Sequence, residues 1–114
     1  MRFSQTDLTG DGDYLTSGET ALILRRRLGL TQHQMARRMG KGTEAYAKIE
    51  RDELDIEPFP IPRLEAHEKC VIYRRRVGFS LGQVAQDLGL SRVWTSRMEN
   101  GHVDCTDLVF YWET

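Results

Sequence analysis

The first half of the chain contains three short segments in which apolar residues recur at helical spacing. This spacing predicts helices over about 17–28, 32–39 and 43–51. Thr31 is expected to cap the second helix at its N-terminus, and Gly40 is expected to end it. The residues expected to face inward are Ala21, Leu22, Leu24, Leu28, Met35, Ala36, Met39, Ala45, Tyr46 and Ile49.

The second half of the chain repeats this order of elements. Helices are expected over about 81–88 and 92–99, capped by Ser80 and Ser91, and a last helix over about 106–112. No stretch shows the sustained alternation of apolar and polar residues that is typical of a strand. The sequence therefore predicts an all-α fold.

The two halves are related by an internal repeat. Residues 25–55 align without a gap on residues 74–104, and most pairs that are not identical keep their character, as in Leu28/Val77. The identical pairs are Arg25/Arg74, Arg26/Arg75, Arg27/Arg76, Gly29/Gly78, Gln34/Gln83, Ala36/Ala85, Gly40/Gly89, Glu50/Glu99 and Asp55/Asp104. One structural unit has been duplicated, and this repeat determines the architecture.

The repeat and a proline-rich segment predict the domain boundaries. We expect a flexible N-terminal arm over 1–17, a first unit over 18–57, a proline-rich linker over 58–62 and a second unit over 63–114. A helix over about 63–76 would close the first unit and open the second. Because units of about 50 residues bury little surface alone, we expect the two to pack as one compact helical protein.

The net charge of −1 is unevenly distributed along the chain. Residues 25–51 contain eight basic and two acidic residues, and residues 69–99 contain six basic and two acidic ones. The segments 1–24, 52–68 and 100–114 are acidic, with net charges of −3, −5 and −3. Each copy is therefore basic within an acidic frame, a distribution that suits an anionic polymer as partner.

Other classes of protein find little support in the sequence. The two cysteines have neither the spacing of a disulfide framework nor that of a metal site, and no nucleophile and base lie at a usable spacing. Residues 7–18 imitate a calcium loop, but its twelfth position is Gly18 rather than glutamate. No signal peptide or membrane span is visible. We expect a soluble protein without cofactor, metal or enzymatic activity.

Each copy has two short helices separated by a glycine stop and a turn, with a small residue in the first of the two helices. Ala36 and Ala85 lie where steeply crossing helices need a small side chain, and Gly40 and Gly89 lie where the turn needs a left-handed residue. The segments LTQHQMARRMGKGTEAYAKIER and FSLGQVAQDLGLSRVWTSRMENG resemble the helix-turn-helix of phage lambda repressor and Cro, the Xre-type family. The resemblance covers roughly residues 19–112, as two tandem lambda repressor-like units.

The resemblance implies that the third helix of each copy reads DNA. In the family, residues at the start of this helix and one turn later point at base edges in the major groove. These positions are Thr43, Glu44 and Lys48 in copy one and Arg92, Val93 and Arg97 in copy two. The arginines could fork onto guanine, the valine could pack on a thymine methyl, and the glutamate could accept from cytosine but would repel phosphate. Copy two is therefore expected to be the stronger reader.

The resemblance also implies phosphate contacts and one structural ion pair in each copy. The expected phosphate contacts are Thr31, Gln32, Ser80, Ser91, Arg26, Arg27, Arg75 and Arg76. The expected ion pairs are Arg25–Glu50 and Arg74–Glu99. Arginine triplets taken alone are typical of solvated helix faces, and this alternative stays open for the four arginines outside the ion pairs.

The two copies depart from the family pattern at different places. Copy one keeps Glu50 of the closing Glu-Asn-Gly but continues with Arg51 and Asp52, whereas copy two has the full motif. Copy two has Leu81 where copy one has Gln32, and has lost that polar contact. The aromatic residues are expected in the core rather than on DNA. They are Tyr46 and Trp94 on the third helices, and Phe110, Tyr111 and Trp112 as core closure between the repeats, with dimerisation as the alternative.

The sequence thus predicts a sequence-specific regulator of transcription that binds double-stranded DNA, of phage or bacterial origin, and acts as a repressor in preference to an activator. It would read two unequal half-sites, as a monomer or a homodimer. The alternative is a protein-binding module on the same fold, such as an antirepressor or an inhibitor of host transcription machinery, which uses the first unit or the C-terminal aromatics. The acidic frame, Glu44 and Leu81 favour it. Either would act in the cytoplasm of a bacterial cell or a phage-infected host.

Overall fold

The computed structural model describes residues 15–54 and 63–113, and these residues form helices and turns without a strand. They fall into two compact units that divide between Arg63 and Leu64. The helices are α1 (Ser17–Leu28), α2 (Gln32–Arg38), α3 (Thr43–Glu50), α4 (Ala66–Val77), α5 (Leu81–Leu88), α6 (Arg92–Glu99) and α7 (Thr106–Glu113). The prediction of an all-α fold with two tandem helix-turn-helix units is confirmed.

The first three helices of each unit correspond residue by residue. Helices α1, α2 and α3 begin 49 positions before α4, α5 and α6. Helix α4 begins at Ala66 rather than near residue 63, because the backbone N–H of Glu65 donates to the Glu68 carboxylate (2.8 Å) in a capping interaction that fixes the start. The N-terminal arm before residue 15 and the whole proline-rich linker, 58–62, lie outside what the structure describes, and these assignments, like the sharing of this helix between the units, stay predictions.

The core of the first unit lies between its three helices. Its buried cluster consists of Ala21, Met35, Ala36, Tyr46 and Ile49. The prediction that Leu28 faces inward is wrong, because this last residue of α1 precedes the left-handed turn at Gly29 and is 51% exposed. Ile23, which the predicted stripe omitted, is fully buried instead. The four consecutive apolar residues of α1, at 21–24, therefore include buried side chains on more than one side of the helix.

The core of the second unit is closed by α7. Trp112 is fully buried, and its ring packs edge-on against Tyr111 (4.8 Å between centroids) and at a tilt against Phe79 (6.2 Å) and Tyr73 (6.4 Å). The Tyr111 hydroxyl donates to Asp87 in α5 (2.6 Å), which joins α7 to α5. Phe110 was expected in the core, but it is 60% exposed, since it lies on the outer side of this short helix.

A close contact in the first unit joins the start of α1 to the end of α3. A Cβ atom on Gly18 would lie 2.6 Å from the carbonyl oxygen of Glu50 and 2.7 Å from that of Ile49, so only glycine fits. Asp52 follows α3 in the left-handed conformation (φ 61°), which is unfavourable for a residue with a side chain. Its carboxylate accepts from the backbone N–H of Gly18 (2.8 Å) and the Thr16 hydroxyl (2.7 Å), which offsets this cost.

In the second unit, the large and the small residue of the equivalent contact, between the start of α4 and the end of α6, are exchanged. His67 stands at the position of Gly18, and Gly101 stands at the position of Asp52. Gly101 is left-handed (φ 76°), and a Cβ atom there would lie 2.8 Å from the His67 ring. A small residue therefore faces a larger one in both units, and this exchange accounts for Asp52 in copy one where copy two has the glycine of Glu-Asn-Gly.

No helix in the described part of the chain is long and apolar enough to cross a membrane.

Candidate nucleic-acid interface

An ion pair of the same geometry supports the third helix in each unit. Arg25 Nε lies 2.6 Å from Glu50 Oε2 and Arg25 Nη2 lies 3.2 Å from Oε1, while Nη1 donates to the carbonyl of Leu30 (3.0 Å). Arg74 contacts Glu99 at 2.7 and 3.0 Å, and its Nη1 donates to the carbonyl of a phenylalanine, Phe79 (3.1 Å). Each arginine thus ties its helix both to the third helix and to the turn before the second. Both pairs expected from the sequence are present.

Glu50 keeps its charge inside the first unit. Burial alone would raise its pKa, but hydrogen bonds from Arg25, Tyr46 and Gln32 outweigh burial and hold the pKa below its usual value. Burial likewise opposes the charge on Arg25, yet Glu50 raises the pKa of the guanidinium. Gln32 Nε2 lies 3.0 Å from Glu50 Oε1, so this expected phosphate contact donates one of its two amide N–H groups to the ion pair. Leu81 stands at this position in the second unit and cannot donate.

The outer face of α6 carries the three expected base readers of the second unit. The Ser91 hydroxyl accepts from the backbone N–H of Trp94 (3.0 Å), which fixes the start of α6. Thr95, Met98 and Glu99 are buried on the inner face. Val93 and Arg97 therefore lie on the opposite face, because a helix turns about 100° per residue, and Arg92 and Ser96 lie at its edge.

This face borders an open groove between the starts of α5 and α6. The groove is lined by Leu81, Arg92, Val93, Ser96 and Arg97. Val93 is 67% exposed. The Arg92 side chain passes beside Gly82, where a Cβ atom would lie 3.6 Å from its Cδ and Nε atoms. The structure therefore brings together two cations and two apolar side chains on one accessible surface.

Trp94 borders the same face, and its expected place in the core is wrong. It is 44% exposed. Its position lies about 100° around the helix from Val93 and next to the Arg97 side, since Thr95 and Met98 occupy the inner face. Tyr46 was expected in the core and is fully buried. A residue-by-residue comparison of the repeats could have found the difference, because Trp94 aligns with Ala45 and Tyr46 aligns with Thr95.

The corresponding face of the first unit presents three polar side chains, two of which have protein partners. Thr43, Glu44 and Lys48 are all exposed on α3. His33 Nδ1 lies 2.8 Å from the Thr43 hydroxyl. Glu44 pairs with Arg51 (3.2 Å), which also pairs with Glu53 (2.5 Å). Glu53 and then Glu44 raise the pKa of this exposed arginine. The first unit thus offers a mixed-charge surface where the second offers cations and apolar groups.

The hydroxyls expected at phosphates are helix caps. Those of Thr31, Ser80 and Ser91 accept from backbone N–H groups at 3.1, 3.1 and 3.0 Å. Each hydroxyl keeps its own proton as a donor, beside the positive end of a helix. They therefore lie where an anion at the start of α2, α5 or α6 could be held.

The arginine triplets divide between structural and surface roles. Arg25 and Arg74 belong to the ion pairs, and Arg27 donates to the backbone carbonyl of Arg63. Arg75 is half-buried, with its Nη1 atom shielded from solvent. The remaining arginines are the half-buried Arg26 and the exposed Arg76. Only part of each triplet is thus exposed towards solvent.

In the part of the chain that the structure describes, no group of three or more histidine, cysteine, aspartate or glutamate side chains could hold a metal ion. Most of the calcium-like loop, residues 7–14, lies outside the described residues. Its end is part of α1, where the Glu19 carboxylate accepts from the backbone N–H of Thr16 (2.9 Å) in a capping box. Cys70 is buried, and burial raises the pKa of its thiol, so it remains a neutral core residue.

Family models match both units of the chain. A model described as Helix-turn-helix matches residues 23–58, and one described as Helix-turn-helix domain matches residues 72–107. The chain therefore belongs to the lambda repressor-like, Xre-type helix-turn-helix family and carries two copies of its domain in tandem. Curated proteins and solved structures gave no match. Helix-turn-helix domains support a DNA-binding regulator of transcription, and their families are typically non-enzymatic.

Proposed function

We propose that the protein is a sequence-specific repressor, of phage or bacterial origin, that binds double-stranded DNA through two unequal half-sites. The observation that carries this proposal is the exposure of Arg92, Val93 and Arg97 together on one face of a helix whose position is fixed by the Arg74–Glu99 pair. Repression needs only occupation of an operator, which two reading units supply. It is therefore favoured over activation.

Phosphate contacts would position each unit on the duplex. The capping hydroxyls of Thr31, Ser80 and Ser91, with Gln32 and the outer arginines of the triplets, supply donors around the third helices. These outer arginines are Arg26, Arg27, Arg75 and Arg76. Such contacts carry no sequence information, but they make affinity fall steeply as salt rises.

The half-sites would be unequal because the reading side chains differ. Thr43, Glu44 and Lys48 in the first unit cannot prefer the same bases as their counterparts in the second. Glu44 would also repel phosphate. The second unit therefore contributes most of the affinity, and the first unit adjusts it. One chain supplies two readers, so a monomer is sufficient and a homodimer would have four.

A gel shift on the DNA upstream of its own coding region, across a range of salt concentrations, tests this function. We expect a shift whose affinity falls with salt, and loss of that shift in a variant with Arg92→Ala and Arg97→Ala. Each forked arginine contact contributes about 1–3 kcal/mol, so the double variant should bind at least about 30-fold more weakly. The matched control, Thr43→Ala with Lys48→Ala, should bind at most about tenfold weaker. A salt-independent shift, or no shift, would contradict the proposal.

A second candidate function is a protein-binding module, favoured by one observation on the first unit. Its third helix presents the exposed Glu44–Arg51–Glu53 network in place of a purely basic surface. Such a surface suits a partner protein with mixed charges. The protein would then act as an antirepressor or as an inhibitor of transcription machinery. Binding of host RNA polymerase that is lost in Glu44→Ala and kept in Arg92→Ala would favour this function over the first.

A further inference from the structure

We propose that the second unit reads a base step in which a pyrimidine with a 5-methyl group lies beside a guanine, and that Leu81 and Val93 sense the methyl group. Thymine and 5-methylcytosine both carry this group. The inference rests on the proposed DNA-binding function and names the chemistry that its stronger reader recognises.

The groove beside α6 is lined by two apolar side chains and two cations. Leu81 is half-buried at the start of α5, and Val93 is 67% exposed at the start of α6. Both line the groove together with Arg92 and Arg97. An exposed branched side chain gains free energy only when a partner removes it from water. The groove is therefore built to receive an apolar group next to a group that accepts hydrogen bonds from arginine.

The major groove of DNA offers one such combination. The 5-methyl group of thymine is the apolar group that standard base edges present there, and guanine presents two acceptors that a forked arginine contacts. Among the described residues that line the groove there is no carboxylate, so the amino group of an unmodified cytosine would gain no charged acceptor from them. The lining therefore fits a methylated pyrimidine beside guanine better than it fits a cytosine.

The first unit lacks this combination at the equivalent positions. Gln32 stands where the second unit has Leu81, and it donates to Glu50. Glu44 stands where the second unit has Val93, and it pairs with Arg51. Methyl recognition is thus particular to the second unit, and the first unit serves as an internal comparison.

Matched duplexes that differ by one methyl group test the inference. The preferred site is first selected from a random duplex pool with the full chain, and the half read by the second unit is identified as the half at which Arg92→Ala and Arg97→Ala relax base preference. Its methylated pyrimidine is then replaced in four duplexes by thymine, deoxyuracil, cytosine or 5-methylcytosine. Removal of a buried methyl group should weaken binding about fourfold. We therefore expect thymine and 5-methylcytosine to bind about fourfold tighter than deoxyuracil and cytosine, respectively.

A Val93→Ala variant provides the matched control. Because Val93 is exposed, its truncation should leave the melting temperature unchanged, and binding should become nearly equal for thymine and deoxyuracil while the guanine preference stays. Leu81→Gln, which installs the residue of the first unit, should reduce the same discrimination. Thymine and deoxyuracil that bind the unaltered chain equally, or a selected half-site without a methylated pyrimidine beside guanine, would overturn the inference and leave DNA binding intact. Absence of any salt-dependent binding in the pool would instead overturn the proposed function.

Discussion

The two units share an inner framework and differ in the groups that they present outward. The Arg25–Glu50 and Arg74–Glu99 pairs have the same three contacts in each unit. By contrast, Gln32 extends the first pair, and Leu81 opens an apolar groove in the second unit. The two units therefore keep the same buried ion pair while the residues beside it and on the surface differ, since Leu81 stands in place of Gln32 and Val93 in place of Glu44.

The largest expected effect comes from removal of the ion pair in the second unit. Arg74→Ala leaves Glu99 buried without its main partner, and we expect a loss of about 3 kcal/mol in the free energy of unfolding, measured by urea denaturation of the full chain. Arg25→Ala should cost less, since Gln32 still donates to Glu50. If the hydrogen bond from Gln32 causes this difference, Gln32→Leu in the Arg25→Ala background should raise the loss to that of Arg74→Ala. Equal losses in Arg25→Ala and Arg74→Ala without that change would contradict this explanation.

The next effect distinguishes the contact between the first and third helices of the first unit from the equivalent contact in the second unit. Gly18→Ala forces a Cβ atom onto two backbone carbonyl oxygens, and we expect a loss of about 2 kcal/mol. Gly101→Ala should cost about 1 kcal/mol, because the clash is with the movable His67 ring and the main cost is the left-handed backbone. Thermal or urea unfolding measures both. His67→Ala should lessen the cost of Gly101→Ala, and a failure to do so would show that the ring is not the obstacle.

The strained aspartate of this contact in the first unit gives a smaller effect. Asp52→Ala keeps the left-handed backbone and loses the hydrogen bonds to Gly18 and Thr16, so a loss of about 1–2 kcal/mol is expected. Asp52→Gly loses the same bonds but relieves the backbone, and it should be about 1 kcal/mol more stable than Asp52→Ala. Equal stability of the two variants in urea unfolding would mean that the backbone at this position is not strained.

Sequence reasoning recovered the framework because its signals are local or repeated. Helix caps, glycine stops and an ungapped repeat together predicted six helices that α1–α3 and α5–α7 match closely. The side of a helix that is buried depends on neighbours that periodicity does not identify. Leu28, Trp94 and Phe110 were therefore placed inward although they are exposed. The contact between Gly18 and Asp52 was also not predicted, because its partners are 34 positions apart in the sequence.

The pH dependence of stability tests the lowered pKa of Glu50, by comparison of the chain with the neutral variant Glu50→Gln. Its folded pKa lies below the ordinary glutamate value of about 4.3, so the stabilisation is present above that value and is lost as pH falls through the folded pKa. Thermal melting between about pH 6 and pH 3 should show the chain losing stability more steeply than Glu50→Gln over the acid end of this range. Parallel curves would mean that the folded pKa of Glu50 is not lowered.

The smallest expected effect concerns Trp94, whose exposure distinguishes the face of the second unit from that of the first. A side chain that is 44% exposed contributes little to the core, so Trp94→Phe should change the free energy of unfolding by less than about 0.5 kcal/mol. Trp112 is fully buried, so Trp112→Phe is the matched control and should cost well over 1 kcal/mol. Because Trp94 is exposed on α6 next to Val93, its fluorescence should respond to bound DNA, and the response should disappear in Trp94→Phe. A response that persists in that variant would place the DNA near Trp112 instead and would separate the reading face from α6.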